Sequence, residues 1–163
     1  MNIRFATKDD LSAIVAIYNE AVGEGYANAD IAPVSIESRQ QWFEEHEADS
    51  YPIYIFGEEE VMGWCSLSPY RCGRLALRHT VEISYYVAAE HRRRGVASKL
   101  ISHAIEDAAR LDLRTYFGIL METNKISVRL LEGFGFQQWG FLPDVAELDG
   151  QEIGHIYMGK RVG

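Results

Sequence analysis

Residues 82–98 read EISYYVAAEHRRRGVAS, and this stretch decides the fold. Apolar and polar side chains alternate over residues 80–87, which predicts a strand. Apolar residues recur at helical spacing from Gly95 to Arg110, which predicts a long amphipathic helix. Because only a short loop joins the two, the unpaired N–H groups and the positive dipole end of the helix point at one spot. Such a junction favours an anion, above all a phosphate.

Within this loop the residue types suit the close approach of a phosphate. Gly95 lets the backbone come near the anion, and Ala97 keeps the first helical turn free of bulk. Arg92, Arg93 and Arg94 add positive charge and bidentate donors. Three consecutive arginines are also a common solvated surface feature. The combination with the strand, the glycine spacing and the helix favours the anion site.

Outward from this stretch, turn residues and hydrophobic periodicity divide the rest of the chain into further elements. We expect strands over 3–5, 51–56, 61–67, 80–87, 116–121, 137–142 and 153–160, and helices over 11–23, 35–46, 95–110 and 126–134. A hairpin followed by alternating strands and helices predicts an α/β domain over residues 1–163, with a mixed, twisted sheet and helices on both faces. The crossover from Val81 through Ile119 should be parallel and right-handed.

Composition excludes several classes of protein. The 163 residues carry a net charge of −8, which argues against nucleic-acid binding. No apolar run reaches the roughly 20 residues that a membrane span needs, and the N-terminus lacks a signal peptide's apolar core, so we expect a cytoplasmic protein. Two cysteines and five histidines without metal-ligand spacing predict no metal site.

Three motifs together resemble a known family. Arg92-x-x-Gly95-x-Ala97 resembles the pyrophosphate-binding motif of the GNAT superfamily of N-acetyltransferases. The segment Asn124-x-x-Ser127-x-x-Leu130, followed by Gly135-Phe136, resembles that superfamily's second motif. Residues 78–82, which read RHTVE, resemble the branch that acetylates phosphinothricin and methionine sulfoximine. The resemblance covers essentially the whole chain.

The resemblance implies a GNAT fold of about seven strands and four helices, with acetyl-coenzyme A as co-substrate and no metal. The coenzyme would enter a V-shaped opening where two central parallel strands splay apart. The implied coenzyme-binding residues are Tyr85, Tyr86 and Val87 for the pantetheine arm, Arg92, Arg93, Arg94, Gly95, Val96, Ala97 and Ser98 for the pyrophosphate, and Asn124 and Ser127. Asn124 is equally suited to cap the helix that follows it. Related enzymes commonly form homodimers, so the resemblance also implies a dimer.

Acetyl transfer to an amine needs a base, because free amino groups are largely protonated at neutral pH. Glu82 is the candidate: it interrupts an otherwise apolar strand, and the resembled branch assigns this position to the base. The alternative is a salt bridge from Glu82 to Arg78 or another arginine. Arg71 and Arg78 are candidates for gripping a substrate carboxylate, with a hydrogen bond from Thr80, although both arginines also suit an exposed loop.

Two questions stay open at the level of sequence. Tyr26, Trp42 and Trp64 could wall an apolar pocket or belong to the core. Leu131 occupies the position where many family members carry tyrosine, and the resembled branch histidine, to protonate the departing thiolate; leucine has no proton to donate.

The favoured function is acetyl transfer to the primary amine of a small molecule, an amino acid or a close analogue. The alternatives are an acetyltransferase for a polyamine, an aminoglycoside or a protein N-terminus, and a non-catalytic acyl-coenzyme A-binding module.

Overall fold

A computed structural model describes residues 2–25 and 27–163. These residues form one seven-stranded sheet in the order β1-β2-β3-β4-β5-β7-β6. The strands are Ile3–Phe5 (β1), Ile53–Phe56 (β2), Gly63–Pro69 (β3), Thr80–Val87 (β4), Thr115–Met121 (β5), Gln137–Leu148 (β6) and Gln151–Arg161 (β7). The α-helices are Leu11–Glu24 (α1), Ile36–Glu44 (α2), Val96–Glu106 (α3) and Lys125–Gly133 (α4). The predicted mixed sheet and its four helices are confirmed.

Strand β4 has different neighbours along its two edges. It pairs antiparallel with β3 over its whole length, from Gly63 opposite Val87 to Pro69 opposite Val81. It pairs parallel with β5 only over 80–82. Beyond Glu82 the two strands are no longer paired, so backbone groups of residues 83–87 that point away from β3 lack a strand partner in β5. The predicted splay of the central parallel strands is therefore present.

The two faces of the sheet are covered by different helices, as the sequence predicts. Helices α1 and α2 pack on one face, where Ile14 and Ile17 contact Trp64 in a small core. Helix α3 packs on the other face through Leu100 and Ile101, and α4 joins the same core. Alternate residues of β4 serve these two faces. Val81, Ile83, Tyr85 and Val87 face α3 and α4, whereas Tyr86 faces α1.

The start of α1 is fixed by local hydrogen bonds. The Asp10 carboxylate accepts a hydrogen bond from the Thr7 backbone N–H at 2.7 Å and two from the Arg4 guanidinium at 2.7 Å each. This arrangement satisfies polar groups at the helix entrance and ties it to β1. The helix ends at Gly25, whose φ of 73° terminates the helical path.

Strand β6 is longer than predicted. The predicted strand ends at Leu142, whereas β6 continues past Pro143 to Leu148. The register shifts between Leu142 and Ala146, so the proline lies at an irregularity of an edge strand. There its missing N–H removes no bond from the middle of the sheet. The true turn is Asp149-Gly150, where both residues have positive φ.

Helix α3 also differs from its predicted span. It ends at Glu106 rather than Arg110. The following turn is held by Asp107, which accepts hydrogen bonds from the Tyr54 hydroxyl at 2.6 Å and from Arg110 at 2.6 Å and 2.7 Å. This tertiary interaction replaces the last helical turn that the hydrophobic periodicity predicts. Within the described part of the chain, no helix combines the length and hydrophobicity that crossing a bilayer requires.

Candidate active site

A groove of about 660 Å³ opens where β4 leaves β5 and the N-termini of α3 and α4 converge. Nearly all of the residues predicted to bind the coenzyme line it. They are Tyr85, Tyr86, Val87, Arg92, Arg93, Gly95, Val96, Ala97, Ser98, Asn124 and Ser127. The separation of β4 from β5 therefore brings the motif at residues 92–97 and the motif at residues 124–130 to the same groove.

The loop before α3 presents open backbone donors to this groove. Arg93 and Gly95 both adopt left-handed conformations, with φ of 60° and 78°. No side chain of the described residues caps the N-terminus of α3. The N–H groups of its first turn therefore remain available, and the helix dipole adds positive potential at the same spot. A Cβ placed on Gly95 would meet no protein atom within 4 Å, so the space in front of it is open.

The three arginines of this loop lie in different places. Arg92 donates a hydrogen bond from Nε to the Val87 carbonyl at 3.1 Å and forms an ion pair with Glu24. Arg93 lines the groove, but Arg94 is exposed and lies outside its lining, near the His91 ring. Phosphate binding at this loop would therefore depend on Arg92, Arg93 and the backbone, rather than on all three guanidinium groups.

Asn124 has the geometry of a helix cap. Its Oδ1 accepts a hydrogen bond from the Ser127 backbone N–H at 3.2 Å at the start of α4. The side chain is buried and also lines the groove. Capping holds Asn124 at the groove wall, so the two interpretations of this residue are compatible.

A second cavity of about 320 Å³ lies between the sheet and helices α1 and α2. It shares Ala27 and Tyr86 with the groove, so the two spaces meet at the splay of the central strands. Trp42 and Trp64 form part of its wall. Its polar lining consists of Tyr18, Asn28, Arg39, Ser66, Ser68, Glu82, Ser84, Tyr86 and His155.

Glu82 is the acidic side chain of this second cavity. It forms no hydrogen bond or ion pair with any described residue, and burial raises the pKa of its carboxyl above the ordinary value of 4.5. The alternative salt bridge to Arg78 does not form, because Arg78 is exposed and donates to the Leu75 carbonyl at 3.0 Å. Glu82 is half-buried, and a carboxylate withdrawn from water without a partner is costly unless it has a function.

The residues predicted to grip a substrate carboxylate lie elsewhere. Arg71 and Arg78 are exposed, Thr80 begins β4, and none of the three lines the second cavity. The Arg71 guanidinium instead stacks on the ring of Tyr70, with 5.4 Å to the ring centroid. The loop between β3 and β4 places the two arginines on the surface of this chain.

Arg39 is the arginine that lines the second cavity, and sequence reasoning missed it. Its guanidinium donates to Asp30 at 3.1 Å and lies 4.6 Å from the Tyr18 ring centroid. One signal was available: Arg39 precedes Trp42 by three residues on α2, so the two share a helix face, and Trp42 is expected to point inward.

Trp64 serves both predicted roles, because it is buried, donates from Nε1 to the Ile14 carbonyl at 3.1 Å and walls the cavity. Tyr26 lies outside the described residues.

Comparison with known proteins identifies the family. Residues 13–136 match the family model described as "Acetyltransferase (GNAT) family". The chain belongs to the GNAT acetyltransferase family. It is 35% identical over 164 residues to a Bacillus subtilis protein that carries the provisional name phosphinothricin acetyltransferase, covering 99% of both chains. It is 33% identical over 159 residues to the L-methionine sulfoximine/L-methionine sulfone acetyltransferase of Pseudomonas paraeruginosa, covering 96% of this chain and 92% of that protein.

A solved structure agrees with this assignment. The GNAT phosphinothricin acetyltransferase of Sinorhizobium meliloti in complex with acetyl-coenzyme A matches with a TM-score of 0.92 at 26% identity. The match covers 99% of this chain and 88% of that one. The GNAT fold and the identity of this protein as an acetyltransferase are therefore established.

Leu131 stands at the position where the resemblance implies a tyrosine or a histidine. The side chain is fully buried and packs against β5, where a Cβ on Gly118 would come within 2.4 Å of its Cδ1. Leu131 is thus a packing residue at this position.

A cluster of carboxylates and an imidazole lies beside the groove. Glu60, Glu90 and His91 place potential ligand atoms within 4.8 Å of one another. The two glutamates are exposed, and His91 Nε2 lies 3.1 Å from Glu60 Oε1. An ion pair or hydrogen bond between His91 and Glu60 accounts for this contact, and the absence of a functional metal stays a prediction.

Proposed function

We propose that this GNAT enzyme transfers the acetyl group of acetyl-coenzyme A to the primary amine of an amino acid or a close analogue, such as phosphinothricin or methionine sulfoximine. One observation carries the proposal. A groove with open helix-N-terminal donors meets a cavity with a half-buried, unpartnered carboxylate at Tyr86, where the central strands separate. The names of the relatives from Bacillus subtilis and Pseudomonas paraeruginosa support this class of acceptor.

In this proposal three groups of residues in the groove hold the coenzyme. The N–H groups of residues 93–98 bind the pyrophosphate, assisted by the charge of Arg92 and Arg93. The free backbone edge of Tyr85, Tyr86 and Val87 binds the pantetheine arm and polarises the thioester carbonyl. Asn124, held in place by capping α4, contacts the arm from the opposite wall.

Glu82 is the proposed base. Because burial raises the pKa of its carboxyl, the carboxylate accepts a proton from an ammonium group more readily than an exposed glutamate does. The neutral amine then attacks the thioester directly. In this proposal the amine lies within reach of both Glu82 and the thioester, so the reaction needs no covalent intermediate on the protein.

Arg39 and Asn28 are the proposed contacts for the acceptor's carboxylate. Asp30 takes the one hydrogen bond that Arg39 makes within the described residues, and a guanidinium has five donors. Asn28 lines the same cavity, where its side-chain amide lies beside the Tyr86 hydroxyl. Both donors line the same cavity as Glu82, which suits a molecule that carries an ammonium and a carboxylate group. A polyamine would gain nothing from these donors.

The test is a thiol-release assay with acetyl-coenzyme A and a panel of amino acids, the two analogues, polyamines and peptides. Wild-type protein should release thiol with acceptors that carry an α-carboxylate. Glu82→Gln should lower turnover by about 10²–10⁴-fold and leave coenzyme binding nearly intact. Glu58→Gln, in the exposed turn before β3, is the control and should match wild type.

Each alternative gives a different result in the same assay. A preference for polyamines or peptides would move the acceptor to another class. Tight coenzyme binding without thiol release for any acceptor would indicate a non-catalytic binding module. Equal turnover of wild type and Glu82→Gln would remove Glu82 from the chemistry while leaving the acetyltransferase assignment in place.

We also propose that the enzyme is a cytoplasmic homodimer. The described chain keeps Cys65 and Cys72 as free thiols, which fits a reducing compartment. The edge strand β6 exposes large apolar side chains, which suit a second copy. These side chains are Trp139, Phe141, Leu142 and Val145.

A further inference from the structure

A row of serine hydroxyls lies beside Glu82 on the face of the sheet that borders the second cavity. In the antiparallel pairing of β3 with β4, Ser68 lies directly opposite Glu82, and Ser66 lies opposite Ser84. All four side chains line the second cavity. Directly opposed residues of an antiparallel pair have Cβ atoms about 4.5–5.5 Å apart. The Ser68 hydroxyl and the Glu82 carboxylate therefore border the same part of the cavity.

His46 contacts Ser68 from outside the cavity lining. It follows the end of α2, and its ring packs against the ring of Trp42 with 4.6 Å between the centroids. The two ring nitrogens have different partners. His46 Nε2 lies 3.1 Å from Ser68 Oγ, and His46 Nδ1 lies 2.6 Å from the Trp42 carbonyl oxygen. The imidazole thus connects the serine to the backbone of α2.

These two contacts fix the direction of the hydrogen bond between His46 and Ser68. A carbonyl oxygen can only accept, so His46 Nδ1 carries the proton. Burial lowers the pKa of His46 below its ordinary value of 6.5, although the Trp42 carbonyl and the charge of Glu45 oppose this effect. The ring is therefore neutral at neutral pH, and its Nε2 has no proton. The hydroxyl of Ser68 must then donate to His46 Nε2.

The cavity beside Glu82 consequently presents two acceptors. A serine hydroxyl has one proton, and His46 takes the one that Ser68 carries. The Ser68 oxygen can only accept on its remaining sides, and the Glu82 carboxylate also only accepts. Two neighbouring acceptors suit a ligand group that carries several N–H donors and a positive charge. A primary ammonium group has both properties.

We propose that Ser68 and Glu82 together form the subsite for the primary amine of the acceptor, and that His46 is a positioning residue that keeps the Ser68 oxygen an acceptor. This inference rests on the proposed acetyl transfer and deepens it. The subsite recognises the amine alone. It therefore serves an amino acid and a polyamine equally, and its test does not depend on the class of acceptor.

In the reaction, Ser68 holds the nitrogen while Glu82 changes its protonation state. The ammonium group donates one N–H to each of the two side chains, and Glu82 then takes its proton. The new lone pair on nitrogen points at Glu82, so the amine turns about its remaining hydrogen bond to Ser68 before it attacks the thioester carbon. A bond forms between nitrogen and carbon, and the carbon–sulfur bond breaks with its electron pair on sulfur. Ser68 and His46 keep their own protons throughout.

The first experiment measures Ser68→Ala in the thiol-release assay with one primary amine as acceptor. We expect kcat/KM for the acceptor to fall by about 10- to 100-fold, as for the loss of a hydrogen bond to a charged group. KM for acetyl-coenzyme A should stay within about twofold, because the coenzyme occupies the other space. Ser102→Ala is the matched control. Its hydroxyl donates to Glu106 at 2.8 Å on α3, across the sheet, and its loss should leave both constants unchanged.

The second experiment separates positioning by His46 from a merely structural role. His46→Phe keeps a ring against Trp42 but removes the acceptor nitrogen, and should lower kcat/KM for the acceptor by about 3- to 10-fold. The same substitution in a Ser68→Ala background should cause little further loss, because His46 acts through Ser68. His103→Phe is the control. That ring packs against Tyr54 at 4.9 Å on the other face of the sheet, and its replacement should leave kcat/KM unchanged.

The possible failures are distinct. Wild-type kcat/KM in Ser68→Ala would overturn the amine subsite. Additive losses in the double variant would overturn the positioning role of His46, since a structural defect lowers activity in both backgrounds alike. Both results would leave the proposed acetyl transfer in place. A wild type that acetylates no primary amine would overturn the proposed function together with this inference.

Discussion

At the scale of single residues, the chemistry depends on a carboxylate that the fold leaves unpaired. Glu82 is half-buried on β4, lines the second cavity and has no hydrogen-bond or ion-pair partner in the described chain. Such a group is unfavourable for folding, and it suits the removal of a proton from the acceptor amine that the proposed reaction needs.

The pH dependence of the reaction should report on Glu82. Only the carboxylate form can accept a proton, so kcat/KM should rise with pH through the raised pKa of Glu82. The midpoint of this acidic limb of the pH profile should therefore lie above pH 4.5, the ordinary pKa of this carboxyl. Glu82→Asp keeps a carboxylate and should retain such a limb at lower turnover, whereas Glu82→Gln should lose it.

The measurement is kcat/KM against pH with one amino-acid acceptor for all three proteins. Ionisation of the acceptor amine adds the same limb to the pH profile of each protein. Only the difference between the profiles of the variants is therefore informative. An acidic limb that persists unchanged in Glu82→Gln would assign the proton transfer to another group.

At the scale of elements, the turn into α3 decides how closely a phosphate can approach. Gly95 has a φ of 78°, and a Cβ there would enter open space in the groove rather than touch the protein. Gly95→Ala should therefore cost about 1 kcal/mol in stability from left-handed strain, and in addition raise KM for acetyl-coenzyme A several-fold. The value of kcat at saturating coenzyme should change little.

Gly150→Ala is the matched control for this effect. Gly150 has a φ of 75°, its Cβ would also meet nothing within 4 Å, and it lies in the β6–β7 turn outside the groove lining. Chemical denaturation should show a similar loss of stability for both variants, while steady-state kinetics should show a raised KM for Gly95→Ala alone. Equal KM values would mean that the open space before Gly95 does not receive the coenzyme.

The sequence predicts the helices and strands far better than it predicts the second cavity, which holds the acceptor in the proposed reaction. Strand β4 has its predicted bounds, because alternation and flanking turns are local signals. The groove follows from the same local pattern, since a strand, a glycine turn and a helix are consecutive. The second cavity is instead lined by Asn28, Arg39 and His155, which come from a loop, a helix and a distant strand. Only tertiary packing brings these three side chains together, so the sequence points to Arg71 and Arg78, which lie near Glu82 along the chain, and does not point to Arg39.

At the scale of the whole molecule, overall charge and local charge act in opposite directions. The net charge of −8 repels an anionic coenzyme at long range, while the groove attracts it at short range. Glu24 pairs with Arg92 at the groove wall and weakens this local attraction. Binding of the pyrophosphate would therefore depend chiefly on backbone donors, which are less sensitive to salt than exposed ion pairs are.

The edge strand β6 is the feature that should set the oligomeric state. It has 12 residues, borders the sheet and exposes Leu142 and Val145, with Val145 54% exposed. A long apolar edge promotes uncontrolled association unless a partner covers it.

We expect light scattering coupled to size-exclusion chromatography to give wild type twice the 18.5 kDa of one chain. Val145→Glu should shift the mass to one chain, because it places a charge in the buried interface. Ile31→Glu, at another exposed apolar residue, should remain a dimer, and a monomeric wild type would contradict the assignment of β6 as the interface.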